Sequence, residues 1–193
     1  MSHDIFEEVF ADWWRDLTNA EDGGKKADKA ALRRLGAAEA VFPPEIDVVG
    51  AIAIPAFRDL HRRTRKWHDL REDRVSKLVV AAAVLAHVRE VKPDQTAAAR
   101  LGASRKEGDE NPLMAEPRFR RLLRTTDPVE LCDQARRAVA LLGRGAAVGE
   151  LGASLFKWND KTRRTWAAAY WRLDDTIPAS GPASGPTPAN GAA

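Results

Sequence analysis

From residue 118 to residue 171 the apolar positions recur at helical spacing. Phe119, Leu122 and Leu123 stand at i, i+3 and i+4, which is one face of a helix. Arg120, Arg121 and Arg124 recur at the same spacing on the other face. The next segment repeats the arrangement. Pro128, Leu131, Cys132, Ala135, Val139 and Leu142 make an apolar stripe, and Arg136 and Arg137 lie away from it. A further helix places Trp166, Ala169, Tyr170 and Leu173 inside and Lys161 and Arg164 outside. Three helices in succession therefore hold cations outward on an apolar scaffold.

The same pattern divides the rest of the chain. A helix is predicted over 4–17, with Phe6, Val9, Phe10, Trp13 and Leu17 on one face and Trp14 beside it. A polar connector over 19–26 leads to a helix over 28–40 that carries Arg33 and Arg34. Phe42-Pro43-Pro44 stops it, because proline lacks the amide hydrogen and restricts its predecessor. A helix over 54–65 tolerates Pro55 in its first turn. Asp73 caps a long Ala-rich helix over 73–91, and Pro93 ends it. Thr96 to Leu101 forms a short helix, and 104–116, charged and punctuated by Gly and Pro, reads as a mobile loop. Pro117 opens the first basic helix. Asp127-Pro128 is an N-cap followed by proline at the first helical position. Gly143-Arg144-Gly145 ends the second basic helix. A short helix covers 148–158, and Asn159 or Asp160 caps the last. No segment alternates as a strand does. The predicted fold is all-α, as two small helical bundles: 1–92, a mobile connector 93–117, a basic bundle 118–173, and a disordered tail 174–193 rich in Pro, Ala, Gly and Ser.

Charge sharpens this picture. The 193 residues carry a net charge of only +3, but it is unevenly spread. Residues 118–172 hold 12 Lys/Arg against 5 Asp/Glu, a net of +7, whereas residues 1–117 hold 19 against 21. Such asymmetry points to an anionic partner for the basic half; the plainer alternative is a solvated helical surface. Cys132 is the only cysteine and lies on an apolar stripe, so it reads as a buried structural thiol in a reducing compartment. The N-terminus has no signal-peptide pattern, and the longest apolar run, 78–86, is too short to span a bilayer. A soluble, cytoplasmic protein is expected.

Catalytic patterns are missing. His3, His61, His68 and His87 are scattered. His61 and His68, seven apart with Asp69 near, lack a third ligand at helical spacing, so no metal or other cofactor is expected. Gly143-Arg144-Gly145 with Gly149 follows a helix rather than a strand and lacks the Lys-Ser/Thr ending of a phosphate loop. Neither a nucleophile elbow nor a Ser-His-Asp order nor a paired-carboxylate motif stands out. Of the six tryptophans, Trp13, Trp158 and Trp166 fall on apolar faces and read as core. Trp67, beside Lys66 and His68, has two readings: a base-stacking side chain, or a wedge under the connection between helices.

These segments, in order, resemble the small subunit of the type I-E Cascade CRISPR surveillance complex, the CasB family. The resemblance runs through Trp13-Trp14-x-x-Leu17, Ala31-Leu32-Arg33-Arg34, Ile54-Pro55-Ala56-Phe57-x-x-Leu60 and the helix holding Val84-Leu85-Ala86. It continues through Phe119 to Arg124, Ala135-Arg136-Arg137-x-x-x-Leu141-Leu142, Leu155-x-x-Trp158 and Arg163-x-x-Trp166-Ala167-x-x-Tyr170. It departs where the family's Ser-Leu-Gly reads Arg100-Leu101-Gly102 and where an Asp-Trp reads Val148-Gly149. The resemblance implies an all-helical, non-enzymatic subunit, present in two copies. Its basic surface would hold the target strand and the displaced strand of DNA, beside a guide crRNA, backbone subunits and a large subunit, before a helicase–nuclease is recruited. Backbone contacts suit that role, because R-loop formation exchanges duplexes of nearly equal energy. Guanidinium binds phosphate in a bidentate way at any physiological pH. The nucleic-acid-binding candidates are Arg34, Arg74, Arg121, Arg124, Arg137, Lys161, Arg163 and Arg164; Arg74 is included because the family also carries a base at that helix start. Arg120 and Arg136 could face a neighbouring subunit, and Asp133 with Arg137 could form an i, i+4 pair. Two rival functions remain: a helical interaction adaptor whose arginine rows dock acidic partner surfaces, and a metal-dependent enzyme around His61 and His68.

Overall fold

Residues 78–85 have no exposed surface, and the helix they belong to is the axis on which the others pack. The structure, a computed structural model, describes residues 5–19, 23–35, 45–65, 72–104 and 111–173, with only the backbone of 23, 24 and 72. In chain order these form α1 (Ile5–Thr18), α2 (Gly23–Arg34), α3 (Val48–Ala53), α4 (Pro55–Thr64), α5 (Glu72–Leu85), β1 (Glu90–Val91) and α6 (Ala97–Gly102). Then follow α7 (Glu116–Arg124), α8 (Pro128–Leu141), β2 (Gly145–Ala146), α9 (Val148–Phe156) and α10 (Asp160–Trp171). The all-α prediction is borne out. Helices α8 and α9 lie on α5, α1 lies on α9, and α6 lies on α10. The buried apolar side chains form one continuous cluster running from Phe10 to Tyr170.

Local chemistry sets the helix boundaries. The side chains of Thr96, Asp127 and Asn159 accept hydrogen bonds from the amides of Ala99, Glu130 and Thr162, as N-caps do. Proline stands in the first turn of α4, α7 and α8. The expected positions differ in several places, among them Asp73, which lies inside α5 rather than before it. Helix α2 begins at Gly23, inside the stretch that reads as a connector. Helix α3 precedes α4, started by the Asp47 carboxylate accepting from the Gly50 amide at 2.7 Å. The long helix stops at Leu85 rather than Val91, because the amides of Arg89 and Glu90 donate to the Arg144 carbonyl at 2.8 and 3.3 Å. The strand pair β1 and β2 was not expected: it is parallel, with Glu90 opposite Gly145 and Val91 opposite Ala146, and two residues are too few to show alternation. Leu173, expected inside, is 53% exposed, since Arg172 ends α10 in a left-handed conformation before it.

Part of the segment 93–117 is built into the C-terminal layers. The amides of Leu113 and Met114 donate to the carbonyls of Ala103 and Leu101 at 2.8 and 3.0 Å. The Tyr170 hydroxyl donates to the Met114 carbonyl at 2.6 Å, and the Tyr170 ring stacks on Phe119 at 3.9 Å. Residues 105–110, the tail from 174, His3, Trp67 and His68 lie outside the described residues.

Many arginines close helix ends. The last carbonyls of a helix have no partner within it and carry partial negative charge. Arg33 Nε donates to the carbonyl of Ala86, just past α5, at 2.8 Å. Arg58 donates to the Ile52 and Ala53 carbonyls at the end of α3, each at 2.9 Å. Arg100 donates to the carbonyls of Leu142 and Gly145 past α8, and Arg136 to those of Arg33 and Leu35 at the end of α2. Arg136 therefore faces inward, not toward a neighbouring subunit as the sequence allowed. Tryptophans brace the core in the same way: Trp13, Trp14 and Trp158 donate to the carbonyls of Ala56, Leu85 and Thr125.

One carboxylate joins three helices. Glu150 on α9 accepts from the Ala97 amide at 3.1 Å and from the Ser154 hydroxyl at 2.9 Å, while Ser154 Oγ accepts from Trp166 Nε1 at 3.0 Å. Burial raises the Glu150 pKa, opposed by these hydrogen bonds. The folded state then holds this proton more tightly than the unfolded chain. Its stability contribution is full below the ordinary glutamate value and declines as pH rises through the folded one. Glu150→Gln, which keeps an acceptor for the amide, should flatten that decline. Thermal melts at stepped pH should show the variant gaining on the unmodified chain as pH rises from 4 to 8; parallel curves would mean that Glu150 ionises as freely folded as unfolded.

Candidate nucleic-acid interface

On α7 the apolar stripe and the cations separate as the spacing requires. Phe119 and Leu122 are fully buried, Leu123 is partly so, and Arg120, Arg121 and Arg124 are exposed. The loop after α7 returns the chain to α8 and leaves an open cleft of about 410 Å³, lined by Arg120, Arg121, Arg124, Thr125, Asp127 and Glu130 among others. Arg120 is held by Glu116 and lies over the Trp171 ring at 5.7 Å. Arg121 pairs with Glu130 at 2.9 Å, both well exposed, so the pair contributes about 0–1 kcal/mol and opens readily to a better anion. The Arg124 side chain makes no ion pair or hydrogen bond with any described residue.

The first turn of α10 comes up beside the end of α7. Arg163 reaches the Leu123 carbonyl at 3.4 Å and pairs with Asp160 at 2.5 Å, leaving its side chain only 24% exposed. It thus differs from its neighbours Lys161 and Arg164, which are exposed. The expected row therefore splits: Arg121, Arg124, Lys161 and Arg164 offer charge to solvent, and Arg163 is largely taken up in holding α10 to α7.

Arg34 and Arg137 stand elsewhere. Both are exposed, Arg34 at the end of α2 and Arg137 on α8, and the Arg136 contact with Leu35 brings those two places together. No ion pair joins Asp133 to Arg137 among the described residues. Arg74 is half-buried in the first turn of α5, with no described contact to either group.

The fold also collects cations that the sequence keeps far apart. Arg89 and Arg144 meet where their backbones hydrogen bond, beside Arg33, with Lys29 one turn earlier on α2. Separations of up to 115 residues hide this group from any pattern in one helix. The one local signal is Arg144 between two glycines. Gly143 has φ 67° and Arg144 φ 63°, and a side chain in that conformation costs roughly 1–2 kcal/mol.

Other chemistry is quiet. Burial pushes the Cys132 thiol up to about 11, as for a structural cysteine. Among the described residues no three His, Cys, Asp or Glu side chains are placed to hold a metal, and no helix is long and apolar enough to cross a membrane.

Comparison with known proteins agrees with this architecture. The family model for CRISPR-associated protein Cse2 matches residues 28–171, so the chain belongs to that family, and the likeness read in its motifs is borne out. Two solved structures share the fold. CasB from Thermus thermophilus is 23% identical, with a TM-score of 0.60 over 86% of this chain and 97% of that one. A CRISPR-associated protein of the Cse2 family, also from Thermus thermophilus, is 22% identical over the same shares, again with a TM-score of 0.60. No curated protein sequence matches the chain.

Proposed function

We propose that this chain is the non-catalytic small subunit of a Cascade effector complex, binding nucleic-acid backbone and stabilising the R-loop during crRNA-guided target recognition. The observation that carries this reading is the cleft between α7 and α8, where exposed guanidinium groups stand behind the buried Phe119 and Leu122. An edge of this kind contacts phosphates without reading bases, so it serves any target sequence. The guide already supplies specificity, and a near-balanced strand exchange needs only a modest bias. The partners under this reading are the crRNA, the target and non-target strands, the large subunit, the backbone subunits and a second copy of the chain.

The test is a titration of the purified protein with single-stranded DNA at several salt concentrations. With about four phosphates neutralised, log K against log salt should have a slope near −3, by the single-strand value of about −0.7 per contact. Affinity should fall roughly sixtyfold between 50 and 200 mM salt. Binding that ignores salt, or none even at low salt, would favour the interaction adaptor instead.

A further inference from the structure

We infer that Arg33, Arg89 and Arg144, with Lys29 behind them, form a second site for the phosphate backbone of a nucleic-acid strand, separate from the α7–α8 cleft. Three segments distant in sequence build it: α2, the residues entering β1, and the turn entering β2. The backbone is what brings them together. The Arg89 amide donates to the Arg144 carbonyl at 2.8 Å, Arg33 Nε is fixed on the Ala86 carbonyl, and Arg100 clamps the far side of the turn through the carbonyls of Leu142 and Gly145. The backbone frame of the site, and Arg33 with it, is therefore set before any ligand arrives, while the exposed Arg89 and Arg144 side chains extend from that frame.

Two features point to an anion. First, the charges acting on Lys29 and Arg33 are cationic. Burial lowers the pKa of Lys29, and so do Arg33 and Arg89; burial lowers that of Arg33, and so do Arg89 and Arg144. His87 beneath them is also held toward its neutral form, by burial and then by Arg136, Arg33 and Arg144, against a favourable contribution from the Arg33 carbonyl. Like charges gathered on a prearranged frame are relieved when phosphate oxygens enter. Second, Arg144 keeps a side chain where glycine would fit without strain, at φ 63°. The turn holds that conformation through the Arg144 amide on the Val139 carbonyl at 2.9 Å, and it leaves the guanidinium exposed. Arg34 and Arg137 are also exposed, at the neighbouring α2–α8 junction.

This site deepens the reading of the chain as a backbone-binding subunit, yet it stands on different residues. The probes are inorganic tripolyphosphate, followed by thermal melts, and a 20-residue oligothymidine, followed by anisotropy. The full chain should show a saturable rise in Tm with tripolyphosphate. Arg89→Gln combined with Arg144→Gly should melt no lower than the unmodified protein, lose that rise, and bind oligothymidine about tenfold more weakly, with a salt slope reduced by about 1.4. Arg89→Glu alone, which leaves the turn as it is, should show the same losses. Arg121→Ala with Arg124→Ala should weaken the strand yet keep the tripolyphosphate effect. If the cluster variants behave as wild type with both probes, the second site does not exist, whatever the α7 variant does. Loss of the tripolyphosphate effect with strand binding intact would mean a small-anion site only and would equally overturn the inference. Intact binding in the α7 variant alone would instead sink the α7–α8 interface and leave this site standing.

Discussion

A protein carrying Arg121→Ala and Arg124→Ala is expected to melt within a few degrees of the unmodified chain and to bind single-stranded DNA clearly more weakly. Leu122→Ala in the same helix should do the reverse. Leu122 has no exposed surface, and truncating it removes buried methyl groups and leaves a cavity, at a cost of about 2–5 kcal/mol. The arginines contribute little to folding. Arg124 has no described partner, and the exposed Arg121–Glu130 pair is worth at most about 1 kcal/mol, partly returned by alanine's helix preference. A melt and a strand titration of both variants separate scaffold from contact surface. If the double arginine variant unfolds while Leu122→Ala melts normally, the facing of α7 is wrong. If the double variant folds and binds normally, these arginines are only a solvated edge.

The reason that helix was readable from sequence, and others were not, lies in where each signal sits. On α7, α8 and α10 the boundaries and buried faces are written within one helix: a cap at Asp127 or Asn159, and a stripe at i, i+3, i+4. Helix α3 is too short for a stripe, and only the Asp47 cap marks it. The β1–β2 ladder depends on amides meeting across more than fifty residues. The arginines divide on the same principle. Spacing puts Arg136 away from the apolar stripe of α8, and Arg163, three residues before Trp166, at the edge of the stripe of α10; from either place a long side chain can turn to a neighbouring helix end. Arg136 finds the Leu35 carbonyl and Arg163 the Leu123 carbonyl, because those helix ends expose acceptors that no other described residue satisfies. Charge counted along the chain therefore overstates the charge available to a ligand in the 118–172 segment, and it gives no sign that Arg144, counted there, meets Arg89 from the other part of the chain where the backbone joins them.

The packing of α1 on α9 gives the other large expected effect. Helices α1 and α9 touch at Gly149 and Gly152. A Cβ at Gly149 would lie 2.5 Å from the Glu7 carbonyl oxygen, and one at Gly152 would lie 2.5 Å from Phe10 Cγ, within a ring that has no exposed surface. Neither neighbour can swing aside, since one is helix backbone and the other is enclosed. In an open helix, glycine to alanine stabilises by about 1 kcal/mol. Here the methyl groups must force α1 off α9, and such overpacking costs about 1–3 kcal/mol. The sign of the change is therefore the test. Gly149→Ala and Gly152→Ala should each lower stability in a urea titration, and the pair together by less than the sum, because the first methyl already opens the gap into which the second projects. Gly143→Ala is the control. It meets no atom within 4 Å, and its φ of 67° alone should cost about 1 kcal/mol, additively with either of the others. Should Gly149→Ala and Gly152→Ala both raise the urea midpoint, α1 does not rest on α9 at this distance, and the single core joining the first helix to the ninth would have to be redrawn.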